Sequence, residues 1–170
     1  KPMRGPISGV MVLLLSALAL ALMLTSGDYL FTERVLTQDV VCYYNYLPAA
    51  FHYHSFDFQH LPLRPGFVSL PDGNVIEKMS MGLALLYMPF YLTAFALIHL
   101  LGLDPFDYGT PYALAISLSA IVYFSLALVF LRKVLLCFFD DRVTALGLLA
   151  LFLGTNMIYY TSYEGGPMSH

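Results

Sequence analysis

Polar and apolar residues fall into long blocks along this chain. From Ile7 to Ser26 twenty residues pass without a charge. A helix rising about 1.5 Å per residue needs about 20 residues to cross about 30 Å of hydrocarbon, so this block predicts a membrane-crossing helix. Three further apolar stretches, Met81–Leu101, Pro111–Leu131 and Val143–Thr161, are each long enough to cross. Residues 28–80 break the pattern with six acidic and three basic side chains, prolines at 48, 62, 65 and 71, and many aromatic rings. Within them, Gln38 to Phe51 reads as a short amphipathic helix suited to the membrane–water boundary. The runs LPLRPGF and LPDGN supply turns. A flexible linker would be rich in Gly and Ser and poor in aromatics, so an ordered outer loop is expected.

Composition agrees with the blocks. Apolar residues make up 59% of the chain and charged residues 11%, against roughly 45–50% and 25% in soluble domains. So few charges cannot cover the surface of a soluble fold. The net charge of −3 and the lack of a basic stripe argue against nucleic acid. Cys42 and Cys137 lie far apart without metal-ligand spacing and read as unreactive thiols. The charge-free run at 7–26 exceeds the usual core of a cleaved leader, about 7–15 residues, and is read as an uncleaved first span. Starting at Lys1 and stopping at His170 just after an apolar stretch, the sequence reads as the N-terminal piece of a longer chain.

Lysine and arginine bias decides the expected topology. With four crossings and the N-terminus inside, Arg132, Lys133 and Arg142 fall outside, against the rule. If Met81–Leu101 makes no net crossing, the inside holds Lys1, Arg4, Arg132, Lys133 and Arg142 against two aspartates, and the outside holds three basic residues against nine acidic ones. This arrangement obeys the rule. Pro89 is expected to interrupt that stretch, since proline removes a backbone donor and crowds the preceding turn. The fold expected is therefore all-α and integral to the membrane, with three crossings (four as the alternative) and interfacial juxtamembrane helices in the first outer loop. Its parts are a first span in 1–27, an outer loop in 28–80, a juxtamembrane, re-entrant or crossing helix in 81–101, and a helical hairpin in 102–170.

Candidate chemistry gathers in the outer loop. Asp39 and Glu164 each sit at the mouth of an apolar span, where a carboxylate is costly without a partner or a task. Three crossings place both on one side; four separate them. Helical spacing puts Tyr43 and Tyr46 near Asp39. Each residue also has a plainer reading: Asp39 as a helix N-cap, Glu164 as a solvated helix-end carboxylate, Lys78 as a headgroup anchor. His52, His54 and His60 lack the spacing of a tetrahedral metal set. His99 is expected to satisfy a local hydrogen bond, and Asp140–Asp141 to be a solvated turn.

The segments DVVCYYNYLPAAF, NVIEKMSMGLALLYMPFYL, FDYGTPYALA and LGTNMIYYTSYEGGPMSH, in that order over most of 38–170, resemble the N-terminal portion of bacterial membrane glycosyltransferases of the GT-C superfamily, related to protein O-mannosyltransferases and lipid A aminoarabinose transferases. The resemblance implies a polyprenyl-phosphate sugar donor, an extracytoplasmic acceptor, and a multi-pass protein of the bacterial inner membrane with its active side outside. It implies an essential acid at Asp39 and a second at Glu164, the two together able to hold a divalent metal ion. Lys78 falls where relatives carry a lysine, although the Tyr-Pro that follows it there is missing from KMSMG. Lys78, Arg64, Tyr43, Tyr44 and His170 are the substrate-binding candidates, with Lys78 or Arg64 facing the lipid phosphate. Two rivals stand beside this reading. A non-enzymatic subunit of a larger membrane complex needs only helices and an ordered loop. A transporter would carry charged or broken helices near the midplane.

Overall fold

The computed structural model of the chain describes residues 5–62, 65–103 and 108–163. It is mostly helical, at 71%, and divides into two compact units. One is built on the first helix and the residues from Ala120 onward, the other on the residues between Asp28 and Ser119. Among the described residues three helices are long and apolar enough to cross a membrane: α1 (Ile7–Ser26), α5 (Gly82–Leu101) and α6 (Thr110–Leu135).

In the first unit, α1 is built from Leu, Ala and Met, all strong helix formers, and stops at Gly27 in the left-handed region (φ +70°). Val12, Leu15, Ala19 and Met23 line its buried stripe. The opposite face, with Leu13 70% and Leu14 58% exposed, is just as apolar. A helix apolar all round suits lipid rather than water.

The N-terminal end of α1 is held from a distance in sequence. Asp141 opens α7 (Asp141–Gly154), and its carboxylate accepts the backbone N–H of Ile7 at 2.8 Å and of Ser8 at 3.3 Å, and the Ser8 hydroxyl at 2.5 Å. Two of the donors that every helix start leaves unpaired are thus satisfied by another helix. The Ser8 hydroxyl, the two backbone donors and the Arg132 charge together hold the Asp141 carboxyl below the usual carboxylate range, against the effect of burial. Arg132, near the end of α6, donates to the Ser8 hydroxyl at 2.7 Å. Within this unit α7 therefore starts beside the start of α1, and the C-terminal end of α6 reaches the same place through Arg132. The expectation of a solvated Asp140–Asp141 turn holds for the exposed Asp140 and is corrected for Asp141. Asp140 caps α7, accepting from Arg142 and Val143 N–H at 2.9 Å, and Asp141 is buried.

The stretch expected as one helix over 143–161 is broken. α7 ends at Gly154 after 14 residues, about 21 Å of helix, and α8 (Met157–Ser162) follows. The cause is local: Thr155 is extended (ψ 173°), its hydroxyl donating to Leu151 O at 2.7 Å and accepting Met157 N–H at 3.2 Å. A threonine side chain here replaces backbone partners, the competition that ends helices.

The second unit holds α2 (Thr32–Val35), α3 (Gln38–Tyr44), α4 (Tyr46–Phe51), the strands β1 (Phe67–Ser69) and β2 (Val75–Glu77), α5 and the start of α6. The hairpin was not expected in an all-α chain. Its strands pair antiparallel with Phe67 opposite Glu77, across the anticipated LPDGN turn, where Gly73 adopts φ +88° and Asp72 accepts from Asn74 N–H. α3 and α4 separate at Asn45 because Pro48 has no N–H for the Tyr44 carbonyl. Tyr44 anchors the core, its ring edge-on to Tyr91, Tyr108 and Tyr112.

α5 runs unbroken through Pro89, where an interruption was expected. Apolar spans accommodate proline in this way. The buried residues Ala84, Tyr87, Tyr91, Ala94 and Ile98 recur every three or four positions, while Leu85, Leu86, Leu97, Leu100 and Leu101 are exposed. Gly102 closes the helix in the left-handed region, with Leu103 N–H reaching Ile98 O at 3.0 Å. His99 bonds the Phe95 carbonyl at 2.8 Å, the local partner expected of it. Near the start of the unit the Leu30 carbonyl accepts from the Thr110 hydroxyl at 3.2 Å, so the segment between them returns to where it began.

Candidate functional site in the first loop

Asp39 lies in the first turn of α3, whose cap position is taken by Thr37 without a side-chain bond. Its carboxylate is half-buried and makes no hydrogen bond or ion pair with a described residue. Gln38, just before it, has φ +43°, a left-handed conformation rare outside glycine and asparagine and typical of strained functional sites.

Below Asp39 the loop is tied together by residues the sequence had not marked. Glu77 is only 5% exposed. One oxygen accepts the Asn45 side-chain amide at 3.2 Å and the other the Lys78 backbone N–H at 3.0 Å. The Asn45 carbonyl oxygen in turn accepts the Tyr108 hydroxyl at 2.8 Å. A buried carboxylate is tolerable only with such donors. Gly66 is pressed against this group: a Cβ there would lie 2.1 Å from Glu77 Oε1 and 2.6 Å from Cys42 Sγ. Burial pushes the Cys42 thiol up to about 12, helped by the Glu77 charge, a hydrogen bond to Glu77 and the Asp39 charge, and opposed by Lys78. Cys42 is thus an inert buried thiol. It also marks a point that the charges of Asp39, Glu77 and Lys78 all reach.

Lys78 has an exposed side chain, while its backbone N–H is held by Gly66 O at 2.9 Å and by Glu77. Tyr43 is buried, its hydroxyl against Met79 Sδ at 3.8 Å. Tyr44 is fully buried within the aromatic core. Tyr46 belongs to α4 and donates to Met79 O at 2.6 Å. The structure sets Asp39 and Lys78 so that the charge of each is felt at Cys42, and uses both Tyr43 and Tyr44 in packing. Arg64, Glu164 and His170 lie outside the described residues, and so does the proposed pairing of Asp39 with Glu164. Among the described residues no three His, Cys, Asp or Glu side chains gather as a metal site.

Sequence offered little warning of Glu77. In the strand Val75–Ile76–Glu77 it is Ile76 that is exposed and Glu77 that is buried, the reverse of what polarity predicts. Comparison with protein-family models, with curated proteins and with solved structures gives no match. What fold and site define is thus a class: a mostly helical chain with three helices suited to membrane crossing, suggesting a multi-pass membrane protein.

Proposed function

We propose that this chain is the N-terminal part of a GT-C type membrane glycosyltransferase, moving a sugar from a polyprenyl-phosphate donor to an extracytoplasmic acceptor in the bacterial inner membrane. The observation that carries the reading is the state of Asp39: half-buried, uncommitted among the described residues and beside a strained backbone. An acceptor hydroxyl is a poor nucleophile until a placed carboxylate takes its proton. In this reading Asp39 removes that proton as the acceptor oxygen bonds to the sugar's anomeric carbon. The bond from that carbon to the phosphate oxygen breaks, and polyprenyl phosphate leaves with the electron pair. Lys78 offsets the charge that develops on the phosphate. A metal on Asp39 and Glu164 stays an optional addition, and no step here depends on it.

Topology supports the placement. In the second unit Leu30 and Thr110 are bonded to each other. Tyr91, midway along α5, stacks on Tyr112 in the first turn of α6 at 5.0 Å. Each favours a 28–109 segment that starts and finishes on one face, with α5 making no net crossing. An extracytoplasmic tag at position 106 agrees with this; a cytoplasmic one overturns it.

The test of the chemistry uses the full-length protein. Asp39→Asn is expected to abolish transfer from a polyprenyl-phosphate sugar while leaving insertion and thermal unfolding unchanged. Near-normal turnover would remove Asp39 from the mechanism, whereas no transfer by the unsubstituted full-length protein would favour a non-enzymatic subunit.

A further inference from the structure

The α6–α7 turn carries a surface that the proposed chemistry does not use. Phe138 is 76% and Phe139 48% exposed, and beside them Lys133 and Arg142 are exposed as well. The two acids of the same turn are already spent internally. Asp140 satisfies the start of α7 and Asp141 the start of α1, each compensating the positive end of a helix dipole. Arg132 is turned to Ser8. Lys133 packs its ammonium over Phe130 at 5.3 Å, and neither Lys133 nor Arg142 has an ion pair with a described residue. The surface thus offers two cations without acidic partners, next to two aromatic rings with no core to enter. It lies at the end of a pair of apolar helices, α6 and α7.

We infer that this turn seats anionic phospholipid headgroups, with Lys133 and Arg142 meeting the phosphates and Phe138 and Phe139 inserted at the acyl boundary. Charge decides for lipid phosphate over a neutral headgroup, and the adjoining exposed rings decide for a membrane lipid over free phosphate. The inference is independent of the glycosyltransferase reading, since it involves none of that site's residues.

Cys137 provides the probe: it is the exposed one of the two free thiols, whereas Cys42 is buried. A fluorophore on Cys137, in the chain reconstituted into phosphatidylcholine nanodiscs, is quenched by nitroxide-labelled phosphatidylglycerol or by nitroxide-labelled phosphatidylcholine at equal mole fraction. Stronger quenching by phosphatidylglycerol is expected, weakening with salt. Lys133→Gln and Arg142→Gln should each cut the preference about fivefold, as expected for one basic residue near an anionic surface. Equal quenching by the two lipids in the unmodified chain overturns the inference without any variant. A preference abolished by added inorganic phosphate at constant ionic strength reassigns the seat to free phosphate. A preference that survives the double substitution places the lipid elsewhere.

Discussion

Gly66 is where the packing of the first loop can be tested most sharply. Adding one methyl, Gly66→Ala, sets a carbon 2.1 Å from Glu77 Oε1 and 2.6 Å from Cys42 Sγ. Neither neighbour can simply swing aside. The carboxylate is held by Asn45 and by Lys78 N–H, and the backbone at 66 is itself held by Lys78 N–H on its carbonyl. Overpacking of this kind costs about 1–3 kcal/mol, and displacing the carboxylate from one charged hydrogen bond costs about 1.5–3 kcal/mol more. A sum of about 2.5–6 kcal/mol corresponds to a Tm lowered by roughly 5–24 °C in a chain of this size.

The chain has no tryptophan, so unfolding is best followed by thiol labelling. In a Cys137→Ser background the dye reports only the exposure of buried Cys42, and hence the opening of this loop. Gly154→Ala, with nothing within 4 Å of the added carbon, is the control and should barely move the transition. A Gly66→Ala transition within about a degree of its parent would refute the close approach of Gly66, Glu77 and Cys42.

Other expectations follow from the same contacts. Asp141→Ala should lower the thermal stability of the chain and expose the amides of Ile7 and Ser8 to faster hydrogen exchange; unchanged exchange would sever the α1–α7 clasp. Cys42 is raised from 9.0 to about 12, so its contribution to stability is fully present below pH 9 and is lost as pH rises towards 12. Cys42→Ala should therefore flatten the alkaline fall in Tm, and an identical fall in both proteins would contradict the buried thiol. Maleimide should label Cys137 readily near neutral pH and Cys42 only after unfolding, which mass spectrometry of the labelled peptides checks. Thr155→Ala should leave insertion intact while raising amide exchange at Met157, because its hydroxyl accepts that N–H.

The sequence by itself determined the blocks: the apolar runs read at 7–26, 81–101 and 111–131 are helical, the form in which a charge-free stretch closes its backbone bonds internally and so suits hydrocarbon. Turn residues were legible for the same local reason, as at Asp72–Gly73, and so was helix over 38–51, although it divides at Asn45 and is not amphipathic, residues 40–45 being buried on every face. Tertiary structure decided what depends on residues far apart in sequence. Whether Asp141 faces water or caps α1 depends on Ile7 and Ser8, more than 130 positions away. Whether Glu77 lies out or in depends on Asn45 and Gly66, since the strand's own polarity points the other way. Pro89 kept its helix and Thr155 broke one, because local hydrogen bonding at Thr155 offered the backbone a rival that proline, within an apolar run, did not.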